Sequence, residues 1–296
     1  MRKVYSVTEI GSFKRCRQAW DYASFNRQGL QPIVPQNSNL ILGTLVHRGL
    51  ADWGTRPKIP ADVHFMRHAQ GFLDGLTGIH PDHVLMPFYE SVDLGRHMVM
   101  NYASFYGCAV PEDYEVLAYE QEVIVPVPGM RVSLSGTFDA LLRHKRNGML
   151  YVLERKTYGQ RPREHTLQYT EQFMKYAWIV MQLFPDERFG GILYDGLFKR
   201  AVAPKGKTAE DLFLRTVLRY GPSTIRNYTA TIQAELRDMY HPVIYPHHDW
   251  TGCSGCEFLA LCDNSVTFGA ESDIVSEIRA SKYEPRVKFN GLEVVS

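Results

Sequence analysis

Three charged residues near the middle of the chain, Asp139, Glu154 and Lys156, stand where they could do phosphoester chemistry. Asp139 ends Gly136-Thr-Phe-Asp139 in a stretch of strand character over residues 131–143, and Leu153-Glu154-Arg-Lys156 lies in a second one over 149–156. Asn147-Gly148 between them reads as the tip of a two-residue hairpin. With Arg146 paired to Met149, paired residue numbers sum to 295 and Asp139 lies opposite Lys156. Glu154 is two residues from Lys156 and shares its face, so three charged side chains converge, while a one-residue slip would scatter them. Two carboxylates at one corner repel each other unless a cation lies between them, and hard oxygen ligands suit Mg²⁺ or Mn²⁺. A neighbouring lysine can orient or deprotonate an attacking water, or steady charge growing on a phosphate. Taken alone, Asp-x₁₄-Glu-x-Lys also describes a surface salt-bridge cluster.

The cysteines form a second group. Cys253, Cys256 and Cys262 are close in sequence, Cys16 is far from them, and Cys108 reads as a buried structural thiol. In a chain without secretory features such a set points to metal or cluster ligation rather than disulfides, and a structural zinc site more often draws two closely spaced pairs. His64 and His68 have the i,i+4 spacing of a helical zinc pair, but the sequence offers no Glu-x-x-His context and no evident third ligand. His247-His248 read as surface residues.

The elements that must position these groups change in texture along the chain. Residues 6–22 read as one helix opened by Ser6 or Thr8, with Glu9 in its first turn. Residues 26–40 read as a loop, 41–53 as a second helix, and 61–108 as helical with an interruption near Gly78–Pro87. Strands are expected at 115–128, 131–143 and 149–156, a helix at 166–184, a strand near 191–198, and a helix over 215–240 broken at Gly221-Pro222. The last 26 residues have weak periodicity. The chain has 296 residues, 45% hydrophobic and 22% charged, which fits a globular protein with a real core. No apolar run is long enough to span a membrane and no secretion signal opens the chain, so a cytoplasmic location is expected, in the host if phage-encoded. A net charge of +1 gives no global reason to expect nucleic acid. Locally, Lys/Arg predominate over residues 143–165, including Arg143, Arg155, Arg161 and Arg163, and over 196–226, a pattern that serves either as a phosphate footprint or as a solvated surface.

The hairpin residues, taken with others, resemble a known family. Gly136-Thr-Phe-Asp139 followed by Glu154-Arg-Lys156 looks like motifs II and III of the PD-(D/E)xK nucleases, and Gly43-Thr-Leu-Val-His47 resembles motif I of their RecB-like branch. Gln172-Phe-Met-Lys-Tyr176 matches that branch's Gln-x-x-x-Tyr motif, with both residues on one helix face. Three near cysteines and one distant one resemble the branch members that carry a [4Fe–4S] cluster, although Arg17 stands where those commonly have Pro. The resemblance extends to CRISPR-associated adaptation nucleases and stand-alone phage exonucleases.

The resemblance implies an α/β restriction-endonuclease-like core, a mixed central sheet flanked by helices, with a helical insertion and an Fe–S staple joining the chain ends. His47, Asp139, Glu154 and the Arg155 carbonyl would ligate Mg²⁺ or Mn²⁺, and Lys156 would be catalytic. Gln172 and Tyr176 would position DNA or Lys156, and Cys16, Cys253, Cys256 and Cys262 would hold the cluster. The expected organisation is N-terminal helices over 1–50, an insertion over 51–112, the nuclease core over 113–245, a cluster segment over 246–270 and a tail over 271–296. The implied function is a metal-dependent DNA exonuclease on single strands or ends, in recombination, repair or processing, the alternative being an inactive DNA-binding scaffold of the same fold. No P-loop is present.

Overall fold

The computed structural model describes residues 3–33, 38–75 and 82–286. In chain order its elements are β1 (Lys3–Ser6), α1 (Val7–Arg15), α2 (Arg17–Ala23), β2 (Leu30–Pro32), α3 (Ser38–Thr55), α4 (Ala61–Asp74) and α5 (Asp82–Tyr106). Then come β3 (Tyr114–Pro126), β4 (Val132–His144), β5 (Leu150–Tyr158), α6 (Glu164–Leu167), α7 (Glu171–Leu183), β6 (Phe189–Phe198) and β7 (Phe213–Leu218). α8 (Pro222–Tyr240), α9 (Trp250–Ser254), α10 (Leu259–Phe268), α11 (Asp273–Lys282) and β8 (Tyr283–Pro285) follow. The main sheet is mixed, in the order β1-β4-β5-β6-β7, with β3 also paired to β4. β1 is parallel to β4 and β5 to β6, whereas β4–β5 and β6–β7 are antiparallel. A mixed sheet combined with helices is the α/β class expected from the sequence.

The chain divides into two compact units. The first consists of Met1–Asn37, Val123–Gly136 and Arg226–Ser296. Ser6 opens α1 through a capping box with Glu9. The single helix expected over 6–22 is two helices, because Cys16 takes an extended conformation between them. Arg17 then fixes the start of α2: its guanidinium lies 4.6 Å from the Phe13 ring centre and 5.1 Å from that of Tyr245, and it donates to the Val243 carbonyl. Tyr22, Leu30, Phe258, Leu261, Val275 and Tyr283 form an apolar core here, and β2 pairs with β8 inside the stretch expected to be a loop. The weakly periodic C-terminal stretch is ordered as α11 and β8 up to residue 286, and the rest of that tail lies outside the described residues.

The second unit consists of Ser38–Glu122 and Thr137–Ile225. α3, α4 and α5 bury Leu42, Val46, Leu50, Phe65 and Val99 together. Gly49 lets α3 approach α4, since a Cβ there would stand 3.0 Å from the Phe65 backbone. Part of the interruption expected near Gly78–Pro87 falls in residues 76–81, outside the described residues; α5 itself runs through Pro87, and the next residue, Phe88, is buried and stacks on Phe72. Residues 215–218 are strand rather than the start of a helix. Arg215 pairs with Asp195 across the sheet, and the helix begins at Pro222, where a missing N–H does no harm. The helix after the hairpin begins at Glu171, with the short α6 before it.

The hairpin register differs from expectation by two residues. Ala140 pairs with Leu153 and Arg143 with Leu150, so paired numbers sum to 293. A two-residue type I′ turn needs positive φ at both Asn147 and Gly148. Only Gly148 has it, while the Asn147 side chain accepts the Met149 N–H at 2.9 Å, so the turn widens. An even shift keeps every side chain on its face. Asp139, Glu154 and Lys156 therefore stay on one side, with Asp139 in register with Glu154 rather than Lys156.

On the opposite side the sheet buries charge. The pairings place Arg155, Asp195 and Arg215 side by side on β5, β6 and β7. Asp195 accepts from both Arg215 and the Tyr102 hydroxyl, and Arg155 Nη2 donates to the Ala109 carbonyl. Arg155 and Asp195 are fully buried. Removing the anion strands two cations in the interior, so Asp195→Ala should destabilise by about 3–5 kcal/mol in urea unfolding. A loss below about 1 kcal/mol would show that water reaches the network.

Candidate active site

His47 comes from α3, whose close passage over β5 explains Gly43: a Cβ at that position would stand 3.3 Å from Thr157 Oγ1. His47 Nδ1 lies 2.8 Å from Asp139 Oδ1. The other Asp139 oxygen accepts the Arg155 backbone N–H at 2.5 Å, where the β4–β5 ladder ends. Glu154 Oε1 is 2.5 Å from Lys156 Nζ and accepts from Gln172 Nε2 at 3.2 Å. Gln172 also donates to the Tyr176 hydroxyl at 2.8 Å. Tyr176 is buried edge-on against Phe138. Gln172 thus reaches Glu154, and Tyr176 reaches Gln172.

A third carboxylate joins this group. Glu120, on β3, takes a positive φ of 45°, the only non-glycine residue to do so among those described. Its Oε1 is buried without a hydrogen-bond partner. In sequence Glu120 is indistinguishable from Glu122 two residues on, and no spacing signal marks it.

The electrostatics follow from crowding these groups out of water. Burial, together with the Asp139 charge, pushes Glu120 up to about 8. Burial also raises Glu154, to about 7, against the opposing pull of Lys156. Burial alone would raise Asp139, but His47 and Arg155 outweigh it and hold the carboxyl well below the usual range. His47 is raised despite its burial, because Asp139 favours its cationic form. Lys156, likewise resisted by burial, is raised by Glu154 and keeps its proton. Carboxylate oxygens are the donors a hard divalent cation prefers, with the His47 imidazole a borderline one, and a buried, unpartnered Glu120 oxygen beside a carboxylate suits a site for positive charge. Among the described residues, no three His, Cys, Asp or Glu side chains already stand arranged to hold a metal ion; here they bond one another.

The cysteines lie in the first unit. Burial raises the thiols of Cys256 and Cys262, and the neighbouring Cys16 and Cys253 sulfurs raise them further. The His247 N–H donates to Cys16 Sγ. Cys108 belongs to the second unit and reaches the Tyr106 carbonyl. Of the basic residues expected to face phosphates, Arg155 is buried and Arg215 is held by Asp195 within the sheet network, so neither forms a surface wall; Arg143 is paired with Glu187. Lys145, Arg146, Arg161 and Arg163 are exposed. In the insertion, Phe88 and Tyr102 are buried, and Tyr106 carries the Arg215 guanidinium at 3.6 Å, while Tyr89 and Phe105 are exposed.

The profile of the PD-(D/E)XK nuclease superfamily matches residues 4–263. No curated protein matches the chain. Among solved structures, one described as "Crystal structure of SSO0001" is 16% identical, with a TM-score of 0.44 over 88% of this chain and 87% of that one, a likeness too loose to argue from.

Glu120 generates a pH prediction for the metal-free protein. An acid whose folded pKa is raised binds its proton more tightly when folded, so stability grows as pH falls from above about 8 towards the unfolded value near 4.5. Glu120→Gln should remove this dependence and stabilise the protein at pH 8 by on the order of 2 kcal/mol. Parallel urea-midpoint profiles for both proteins between pH 8 and pH 6 would refute the assignment.

Proposed function

The chain belongs to the PD-(D/E)XK nuclease superfamily, and on that premise we propose that it is a metal-dependent DNA exonuclease of the RecB-like branch, acting on single strands or DNA ends in recombination, repair or processing. The observation that carries this reading is the meeting of His47, Asp139, Glu154, Lys156 and Gln172, from four separate elements, in one buried polar cluster. His47, Asp139, Glu154 and the Arg155 carbonyl would hold Mg²⁺ or Mn²⁺, with Glu120 a further anionic donor. Such an ion, when bound, polarises a phosphoryl oxygen and makes water a nucleophile at neutral pH. Lys156, kept cationic beside Glu154, sets a positive charge where the phosphate gains negative charge. Gln172, braced by Tyr176, holds the Glu154 carboxylate in place.

Preference for ends and single strands is supported by the insertion. The chain leaves the site at His47 on α3 and returns to it at Glu120 on β3, so the insertion starts and finishes near the chemistry, while Tyr102 of α5 bonds Asp195 on the other face of the sheet. Exposed Lys145, Arg146, Arg161 and Arg163 offer phosphate contacts that weaken with salt, and exposed Tyr89 offers a ring for bases. No helix among the described residues is long and apolar enough to cross a membrane.

We assign Cys16, Cys253, Cys256 and Cys262 to a structural [4Fe–4S] cluster. The mutual influence of their thiols supports this, and phosphodiester hydrolysis needs no electron transfer. Arg17 does no harm where relatives have Pro, because its stacking between Phe13 and Tyr245 fixes the chain beside Cys16 by other means.

Asp139→Ala, Glu154→Ala and Lys156→Ala should each lower metal-dependent cleavage of end-labelled DNA by on the order of 100-fold or more with the fold retained. Near wild-type rates in any one of them would mean the site is misassigned, and a wild-type protein that binds DNA without cutting it would favour the inactive scaffold. Linear single strands should be degraded much faster than covalently closed circles, and equal rates would mean endonuclease action. Cys16→Ser should lose iron and brown colour while Cys108→Ser keeps both. A full complement of iron and sulfide in Cys16→Ser would remove the cluster assignment.

A further inference from the structure

α3 and α4 bring together a second set of donor atoms outside the nuclease cluster. Asp52 lies on α3, and His64 and His68 lie one turn apart on α4, on the same face. Asp52 Oδ2 is 3.0 Å from His68 Nε2 and 3.8 Å from His64 Nδ1. His64 is fully buried, and its Nε2 lies 3.2 Å from the Arg56 carbonyl oxygen. A carbonyl only accepts, so the proton of a neutral His64 sits on Nε2 and Nδ1 presents a lone pair. That Nδ1 has no hydrogen-bond partner. It faces, at 3.8 Å, a carboxylate oxygen that also carries lone pairs, and leaving a buried nitrogen lone pair unbonded costs free energy that a cation at this position would recover.

We propose that Asp52, His64 and His68 bind a divalent metal ion, with Zn²⁺ the best match, through Asp52 Oδ2, His64 Nδ1 and His68 Nε2. Two nitrogens and one carboxylate oxygen are a zinc-type donor set, and the i,i+4 histidines supply its helical half. The His64 Nε2–H bonded to a carbonyl is the outer contact that fixes the tautomer and ring of a ligating histidine. The Asp52 and His68 side chains are each about 20% exposed, which gives the ion an entry path and room for a water ligand. Without metal the Asp52–His68 bond occupies the place of the ion, so the three are not yet arranged as a cage, and these two rim residues turn onto it. Arg56, 3.5 Å from the same Asp52 oxygen, opposes a second cation, but its side chain is 54% exposed and swings into solvent. The site would tie α4 to α3 five residues from His47, independently of whether the nuclease assignment holds.

The test is to strip the full chain with chelator, equilibrate it with Zn²⁺, and count bound metal by elemental analysis. Wild type should carry one equivalent more than His68→Gln and Asp52→Ala, whereas Asp139→Asn should keep that equivalent. His68 is the primary target because its partial exposure lets the variant fold where a His64 change in the core would not. Zn²⁺ should also raise the melting temperature of Asp139→Asn by several degrees, and not that of Asp139→Asn/His68→Gln. Equal zinc in wild type and both α3–α4 variants, or an equal thermal shift in the two Asp139→Asn proteins, overturns the proposal.

Discussion

A β-strand turns successive side chains to opposite faces, and β5 carries Glu154, Arg155 and Lys156 in a row. One face therefore holds the acid and the ammonium of the candidate site, while the other must hide a guanidinium. Arg155 is fully buried, and β6 sets the Asp195 carboxylate next to it, an anion it shares with Arg215 on β7. The strand cannot twist or slide without withdrawing Glu154 from Gln172 and, at the same time, Arg155 from the Ala109 carbonyl. A pairing of this kind adds little net stability over an apolar replacement, but it strongly penalises the wrong register. For a site built from strand residues, fixed register is worth more than extra stability.

The same logic links α5 to the chemistry. Tyr102 donates to Asp195 from the insertion, and Arg215 lies over the Tyr106 ring, so the helix between motif residues is anchored to β6 and β7 on the back of the sheet that carries them. The positive φ of Glu120 belongs with these constraints. A residue held in a sparsely populated conformation persists only when its surroundings over-determine it, and here the reward is a third carboxyl group beside Asp139.

Which parts of this were legible in the sequence depended on whether the signal was local. Strand alternation kept Asp139, Glu154 and Lys156 on one face even though the register was off by two, because parity survives an even slip. The turn was not legible, since Asn-Gly allows a type I′ turn without requiring it, and the Asn147 side chain chose to cap Met149 instead. Residues 215–218 read as helix because a six-residue strand fused by periodicity to a long helix leaves no clear seam before Gly221-Pro222. Glu120 and Asp52 were invisible for a different reason: each acquires its neighbours only through packing, from β3 against β4 and from α3 against α4. Nothing within a few residues of either distinguishes it from an ordinary solvated acid.

The first unit is assembled from three separated lengths of chain, and its small sheet pairs Leu30 with Pro285. On a ribosome, Leu30 emerges long before its partner exists. That unit cannot close until residue 285 has been made, and loop closure over such a span is slow as well as late. All residues of the second unit precede Arg226 and are made before Pro285. Synthesis therefore has a long interval in which the edge of β2 and the apolar residues Tyr22 and Leu30 wait uncovered, a natural window for chaperone binding.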